Sequence, residues 1–284
     1  MKKIQFALIV ILALSLLAAA CGSGSNNSNS AASSSPSPSA SQDVAQPSQP
    51  AEKKVLRAGS TGMSYPNSYK EGDKLVGFDV EVLETIAANL GYTVEWVNTD
   101  FSGLMGQLDV GKIDTVANVV AITEERKEKY YFTDPYSYAG VTIVTHADNT
   151  HINTLDDLKG KTVAGVLGSQ NVKNLQKFDV NGEIKIRTYE NRDGAQNDVL
   201  NKRVDGYVQS KANLLAEIKK NNLPLKFVGE PFHYEDVGFP FQKTEENKAL
   251  IEQINAEIKK LREDGTLKRL SEKYFGEDIT TKAE

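Results

Sequence analysis

Hydrophobic residues recur along the chain with two alternating spacings from residue 54 onward. An apolar stripe at helical spacing runs through residues 78–90 and is formed by Phe78, Val82, Leu83, Ile86, Ala87 and Leu90. Residues 92–97 alternate between apolar and polar side chains, which predicts a strand. A strand at 55–58 precedes the helix, and a helix at 101–110 and a strand at 113–117 follow. This order predicts an α/β layer with a largely parallel sheet.

A second round of the same alternation follows residue 140. Its predicted strands are residues 141–144, 161–166, 184–188, 205–208 and 225–228. Its predicted helices are residues 155–158, 170–178, 194–202 and 211–220. A long amphipathic helix then begins after Thr244 and covers residues 245–263, and one more helix covers residues 265–275. The two rounds share no obvious sequence repeat, so we expect two α/β units of different sequence.

The first 21 residues have the pattern of a lipoprotein signal peptide. Lys2 and Lys3 precede an apolar run, residues 4–17, that is too short to span a bilayer comfortably. Three alanines and Cys21 follow, which predicts a signal peptide over residues 1–20 and acylation, such as palmitate, on Cys21. The alternatives are a free cysteine in an ordinary signal peptide and a cysteine within a short membrane anchor. Because Cys21 is the only cysteine, disulfides and cysteine catalysis are excluded downstream.

Composition changes again after Cys21. Residues 22–53 are rich in Ser, Asn, Pro, Ala and Gln and have no hydrophobic period, so they predict a disordered stretch. About 30 residues of flexible coil reach roughly 30 Å, enough for a membrane tether over residues 21–53. The alternative is a low-complexity insert without a role.

The remaining composition fits a soluble globular protein. The chain has 284 residues, of which 39% are hydrophobic and 25% are charged. The formal net charge is −5, and removal of Lys2 and Lys3 with the signal peptide lowers it by two. This acidic balance gives no reason to expect nucleic acid as a partner.

Candidate chemistry is concentrated in residues 118–136, NVVAITEERKEKYYFTDPY. Thr123 stands where a helix N-cap is expected, and two glutamates fill the first turn, where carboxylates suit the helix dipole. Arg126 follows, although cations suit the other end of a helix. One interpretation pairs Arg126 with a neighbouring glutamate on a solvated face. The other uses its planar fork of N–H donors to bind a carboxylate ligand.

A family resemblance favours the second interpretation. The stretch resembles a motif of the extracellular solute-binding proteins of polar amino-acid ABC transporters, with matches at Ile122, Thr123, Glu125, Arg126, Phe132, Thr133, Pro135 and Tyr136. Further matches are residues 77–79, 155–160, 166–169, 203–205, 264–267 and 274–276. They occur in family order over roughly residues 54–280, which makes the resemblance specific.

The resemblance implies a two-lobed, type II periplasmic-binding-protein-like fold. Each lobe is then a mostly parallel sheet flanked by helices. Lobe 1 would comprise residues 54–140 and 238–284, and lobe 2 residues 141–237. Two hinge crossings would connect them, near residues 138–142 and 234–240. Ligands of such folds lie in the cleft, near the carboxyl ends of the strands.

The resemblance also implies ligand contacts in lobe 1. Arg126 would bind the α-carboxylate of an amino acid, and Tyr65 and Phe101 would enclose its side chain. Without the resemblance, a place in the core is the better interpretation of each of these aromatic residues. Asn118 would hold the ammonium or side chain, and Ala121 would contribute its backbone.

Lobe 2 would complete the ligand site. Gly168, Ser169 and Gln170 lie between a predicted strand and a predicted helix, whose N-terminal N–H groups suit an anion. The alternative role of Ser169 is an ordinary helix cap. Ser210 stands where the family usually has the aspartate that binds the α-ammonium. Serine can accept a hydrogen bond there but brings no charge.

Within the family, the sequence is most similar to the L-cystine-binding lipoproteins of Gram-positive bacteria. This similarity implies a monomer, lipid-anchored at the extracellular face of the cell membrane, that delivers L-cystine to an ABC permease and its ATPase. A cyclohexadienyl-dehydratase-like lyase on the same fold would need a cleft acid or base, such as Glu235 or Asp236. A purely sensory lipoprotein is the other alternative. The sequence has no G-x-S-x-G and no H-E-x-x-H motif, so no enzyme is predicted. It has no dinucleotide fingerprint or Walker loop, and His146, His151 and His233 lack metal-ligand spacing, so no cofactor or metal is predicted.

Overall fold

The computed structural model describes residues 54–282, so the predictions for the signal peptide, Cys21 and the tether lie outside the described residues. The strands are β1 Lys54–Ser60, β2 Met63–Ser64, β3 Ser68–Glu71, β4 Lys74–Val76, β5 Tyr92–Asn98, β6 Thr115–Val116, β7 Tyr130–Phe132, β8 Ser137–His146, β9 Thr162–Val166, β10 Lys185–Tyr189, β11 Gly206–Ser210, β12 Leu225–Phe227, β13 His233–Val237 and β14 Pro240–Gln242. The helices are α1 Phe78–Asn89, α2 Phe101–Asp109, α3 Glu124–Lys129, α4 Gln170–Phe178, α5 Arg192–Leu200, α6 Lys211–Asn221, α7 Glu245–Glu263 and α8 Thr266–Phe275. Leu155–Leu158 forms a 3₁₀ turn. Within residues 54–282, no helix is both long and apolar enough to cross a membrane.

The first α/β unit is built on a parallel three-stranded sheet in the order β5-β1-β6. Its apolar face packs against the stripe of α1 that the sequence predicts, including Phe78, Leu83 and Ile86. The last two helices, α7 and α8, return to the same core with Ile254 and Leu267. The end of the chain therefore completes the unit in which the described part begins.

The second α/β unit contains a six-stranded sheet. Strands β10, β9 and β11 are parallel neighbours. The long strand β8 runs antiparallel to β11, and β12 and β13 pair with it in the same antiparallel sense. The α/β fold class is confirmed, with the qualification that this sheet is mixed because β8 enters it in the opposite direction.

Two strands connect the units. The first half of β8 leaves the first unit and pairs antiparallel with β13, which returns to it, with Val141 opposite His233 and Ser137 opposite Val237. These paired strands coincide with the segments expected to act as hinges. The exact lobe boundaries, and a hinge motion at these strands, stay predictions from the sequence.

Side chains also join the two units. Lys173 of α4 forms an ion pair with Glu125 of α3, with Nζ 2.6 Å from Oε1. Asn213 of α6 donates to the side-chain oxygen of Asn67. Asn67 in turn donates to the fully buried Asp79 at 3.1 Å. The structure therefore holds the units together at their surface and in their interior.

Candidate functional site

A cavity of about 390 Å³ lies between the two α/β units. Its walls come from the segments that follow the carboxyl ends of the parallel strands, which is where ligands bind in open α/β folds. The first unit contributes Thr61, Met63, Ser64, Asn98, Thr99, Asp100, Phe101, Asn118, Val119 and Arg126. The second unit and the connecting strands contribute Ala139, Val166, Ser169, Gln170, Asn171, Glu190, Asn191, Arg192, Gln209, Ser210 and Glu235. This volume suits a small organic molecule.

Two hydrogen bonds position Arg126 in the cavity wall, one made by its backbone N–H and one by its guanidinium. Thr123 caps α3, as predicted, by accepting a hydrogen bond from the backbone N–H of Arg126 at 3.2 Å. The Nη1 group of Arg126 donates to the carbonyl oxygen of Ala121 at 2.9 Å. The guanidinium carbon lies 5.7 Å from the ring centroid of Phe101. These contacts fix the guanidinium while using few of its donors.

The solvated-face interpretation of Arg126 is wrong. Glu124 pairs instead with Lys127 at 2.9 Å, and Glu125 with Lys173. Among residues 54–282, Arg126 has no carboxylate within 4.0 Å. Burial lowers the pKa of Arg126, and the charges of Glu235 and Glu125 oppose that shift. A half-buried guanidinium with unused donors is suited to bind an anion.

Glu235 is a buried acid of the cavity lining. It is only 8% exposed and accepts a hydrogen bond from Nδ2 of Asn174 in α4. Burial raises the pKa of Glu235, while Asn174 and Arg126 act in the opposite direction. The sequence alone suggests Glu235 only as an acid or base of a lyase. Its burial follows from the alternation of β13, where Glu235 and Val237 face inward.

Phe101 and Asn118 both line the cavity. Phe101 begins α2, where the side chain of Asp100 caps the helix through Gly103 N–H at 2.7 Å. The Oδ1 of Asn118 accepts from the backbone and hydroxyl of Thr61, at 3.0 and 2.9 Å, and from the Ser68 hydroxyl at 3.1 Å. Asn118 therefore organises the loop after β1 with the oxygen that was expected to reach the ligand ammonium.

Two of the three residues expected at the start of α4 line the cavity. Ser169 caps the helix, accepting from Val172 N–H at 3.4 Å, and Gln170 donates to Asn174 at 3.0 Å. Since Asn174 also donates to Glu235, a hydrogen-bonded chain connects this helix start to the buried acid. Gly168 precedes them with φ of 73° and lies outside the lining.

Tyr65 does not line the cavity, contrary to expectation. Its ring contacts Tyr69, with centroids 4.8 Å apart, and Lys220 Nζ lies 3.7 Å from its centroid. Met63 and Ser64 line the cavity in its place because Tyr65 packs against the core of the first unit.

Ala121 and Ser210 have different roles. Ala121 is buried outside the lining, and its carbonyl positions Arg126. Ser210 is buried and lines the cavity at the start of α6, but its side chain makes no capping hydrogen bond. Its backbone N–H donates to the side chain of Gln209 at 2.9 Å.

Two α/β units that enclose a cavity with a half-buried arginine and a buried acid define a two-lobed binding protein for small molecules. Residues 56–277 match the bacterial extracellular solute-binding proteins, family 3, and the chain belongs to this family. The probable amino-acid-binding protein YxeM of Bacillus subtilis is 53% identical over 82% of this chain and 88% of its own length. The L-cystine-binding protein TcyJ of Escherichia coli is 36% identical over 81% of this chain and 85% of its own.

Solved structures agree with this assignment. An ancestral arginine-binding protein bound to arginine is 38% identical, with a TM-score of 0.73, and the match covers 79% of this chain and 99% of that one. The protein is therefore an amino-acid-binding component of an ABC transporter and acts outside the cytoplasm, in an extracellular or periplasmic location. Its relatives are named as binding proteins, which identifies it as a receptor and not as a lyase.

Proposed function

We propose that this receptor binds L-cystine in the interlobe cavity and delivers it to a permease that an ATPase drives. One observation carries the proposal, namely that Arg126 and Glu235 line the same cavity with opposite charges. Arg126 binds the α-carboxylate, together with the start of α4 at Ser169 and Gln170. Glu235 accepts the α-ammonium in place of the aspartate that Ser210 replaces. Phe101 covers the side chain of the ligand.

A ligand with a second carboxylate, such as L-cystine, is favoured by the second cation of the cavity. Arg192 lines it together with Arg126, so a carboxylate at the far end of the ligand would meet opposite charge. The disulfide of cystine is polarizable and uncharged, which suits an aromatic neighbour such as Phe101. The relative TcyJ, by its name, binds the same compound.

A thermal-shift screen of all amino acids, with and without reductant, tests the ligand. L-Cystine should stabilise the protein by about 2.7 kcal/mol at a hundredfold excess over its dissociation constant. Reductant should abolish that effect because it cleaves the disulfide. A shift with arginine or glutamate alone would reject cystine and leave the family assignment intact. No shift with any amino acid would contradict the receptor function.

Phe101→Ala should weaken L-cystine binding by about 1–3 kcal/mol, because an aromatic contact with the ligand is lost. Calorimetry provides the affinity, and circular dichroism monitors folding, since Phe101 also packs in a core cluster. Phe178→Ala is the matched control because its ring contacts Phe232 outside the cavity lining. Equal affinities of the two variants would show that Phe101 does not contact the ligand.

Ser210→Asp should change the ligand preference. The new carboxylate would lie in the lining with Glu235 and should favour cationic amino acids over L-cystine by about tenfold or more. A panel of affinities for cystine, arginine and glutamine measures the change, with Ser210→Ala as the uncharged control. Unchanged affinities across the panel would show that Ser210 does not contact the ligand.

We further propose that Cys21 carries the lipid anchor. Cys21→Ala should leave the chain without acylation and away from the membrane fraction, while purified protein keeps its ligand affinity. Metabolic labelling with a palmitate analogue and cell fractionation measure both properties. A labelled, membrane-bound variant would contradict the lipoprotein assignment.

A further inference from the structure

Arg192 is a cation of the cavity that the family motif does not include. It is the first residue of α5, directly after Asn191, whose side chain caps the helix through Gly194 N–H at 2.9 Å. Arg192 lines the cavity, and its Nη1 is buried without a hydrogen-bond acceptor among residues 54–282. Buried N–H donors nearly always have a partner, so this guanidinium has unused binding capacity.

Carboxyl groups lie near Arg192 without pairing with it. Glu217 of α6 and Asp79 of α1 are both buried, and neither has a side-chain ion pair within 4.0 Å among the described residues. Burial raises the pKa of Glu217 to about 7 and that of Asp79 to about 6, and the charge of Arg192 opposes both shifts. Near neutral pH, Glu217 is therefore partly protonated and neutralises Arg192 incompletely.

Arg192 and Arg126 belong to separate charge environments. The carboxylates that act on Arg126 are Glu235 and Glu125, on β13 and α3. Those near Arg192 lie on α1 and α6. Two acids besides Glu235 line the cavity, namely Asp100, whose carboxylate caps α2, and Glu190, two residues before Arg192. The cavity thus contains two guanidinium groups, and Glu190 is the lining acid next to Arg192 in the chain.

We propose that Arg192 forms a second anion subsite, which binds the distal carboxylate of a ligand with an amino-acid group at each end. Glu190 faces the distal ammonium of the same ligand. The inference rests on the proposed function, because it assumes that Arg126 and Glu235 bind the first end. It assigns the ligand to a chemical class, that of compounds with two zwitterionic ends joined by an uncharged middle.

Calorimetry with two probes tests this subsite. L-Cystine has two zwitterionic ends, and S-methyl-L-cysteine has one end on a similar sulfur-containing side chain. Arg192→Ala should weaken L-cystine binding at least about tenfold and leave S-methyl-L-cysteine within about threefold of wild type. Arg126→Ala should weaken both. Equal effects of Arg192→Ala on the two probes, or none on cystine, would overturn the second subsite.

Further variants separate ligand binding from a structural role of Arg192. If Arg192 only balances the charge of Glu217, the double variant Arg192→Ala/Glu217→Gln should regain wild-type cystine affinity, and that result would overturn the inference. We expect the double variant to keep a weakened affinity for cystine and Glu217→Gln alone to bind cystine normally.

Two other results distinguish the subsite from the proposed function. Wild-type protein that binds S-methyl-L-cysteine but not cystine would reject the subsite. Normal binding of both probes by Arg126→Ala would reject the proposed function instead.

Discussion

Replacement of Arg126 by alanine should weaken amino-acid binding by about 2–5 kcal/mol, which corresponds to a loss of roughly 30-fold or more. The reason is that the ligand carboxylate would lose its guanidinium partner in the cavity and find no equivalent charge there. The side chain lines a cavity and makes one hydrogen bond, to Ala121, so the fold should survive its removal. Isothermal titration calorimetry measures the affinity.

Two control variants make the Arg126 result specific. Arg126→Lys keeps the charge and loses the planar fork, so its affinity should fall between those of wild type and alanine. Arg269→Ala removes an exposed arginine of α8 outside the cavity lining and should bind normally. If Arg126→Ala binds the ligand as tightly as Arg269→Ala does, Arg126 does not contact the ligand.

Glu235→Gln should weaken binding of an amino acid by about 1.5–3 kcal/mol, because a charge-assisted hydrogen bond to the ligand ammonium is lost. Glutamine has nearly the same shape and can still accept from Asn174. Asp236→Asn is the matched control, since Asp236 is the next residue of β13 and pairs with Lys282 at 3.1 Å. Calorimetry that shows equal affinity for the two variants would contradict the role of Glu235.

The same carboxyl group predicts the pH dependence of binding. Burial raises the pKa of Glu235, so its charge is lost at a higher pH than that of an exposed glutamate. Ligand affinity should therefore fall as the pH drops through this pKa, and Glu235→Gln should remove that part of the profile.

The stability of the unliganded protein should depend on pH in the opposite direction from ligand affinity. An acid whose pKa is raised by folding favours the folded state at low pH, and this contribution is lost as the pH rises. Unliganded Glu235→Gln should thus be no less stable than wild type at neutral pH.

Helices that combine an apolar stripe with a capping side chain could be predicted from the sequence. Residues 170–178 and 245–263 were predicted with the observed bounds because each combines an apolar stripe with a capping side chain, Ser169 or Thr244. The short strands β2 to β4, β7 and β14 were missed. Each has two to four residues and exists through pairing with a partner strand, which a local pattern does not reveal.

The candidate site was predictable only where a motif marked it. Arg126 follows a recognisable cap, and the structure places it in the cavity with Phe101. Glu235 and Arg192 lie in segments without such a motif, and their place in the site follows from the pairing of β13 with β8 and the position of α5. The family resemblance places Tyr65 at the ligand, but in the structure its ring packs against Tyr69.

A crystal structure with the amino acid that gives the largest thermal shift tests the central claim most directly. We expect the ligand in the cavity between the two α/β units, with its α-carboxylate on Arg126 and its α-ammonium on Glu235. A ligand elsewhere, or one in the cavity whose α-carboxylate does not contact Arg126, would contradict the proposed site.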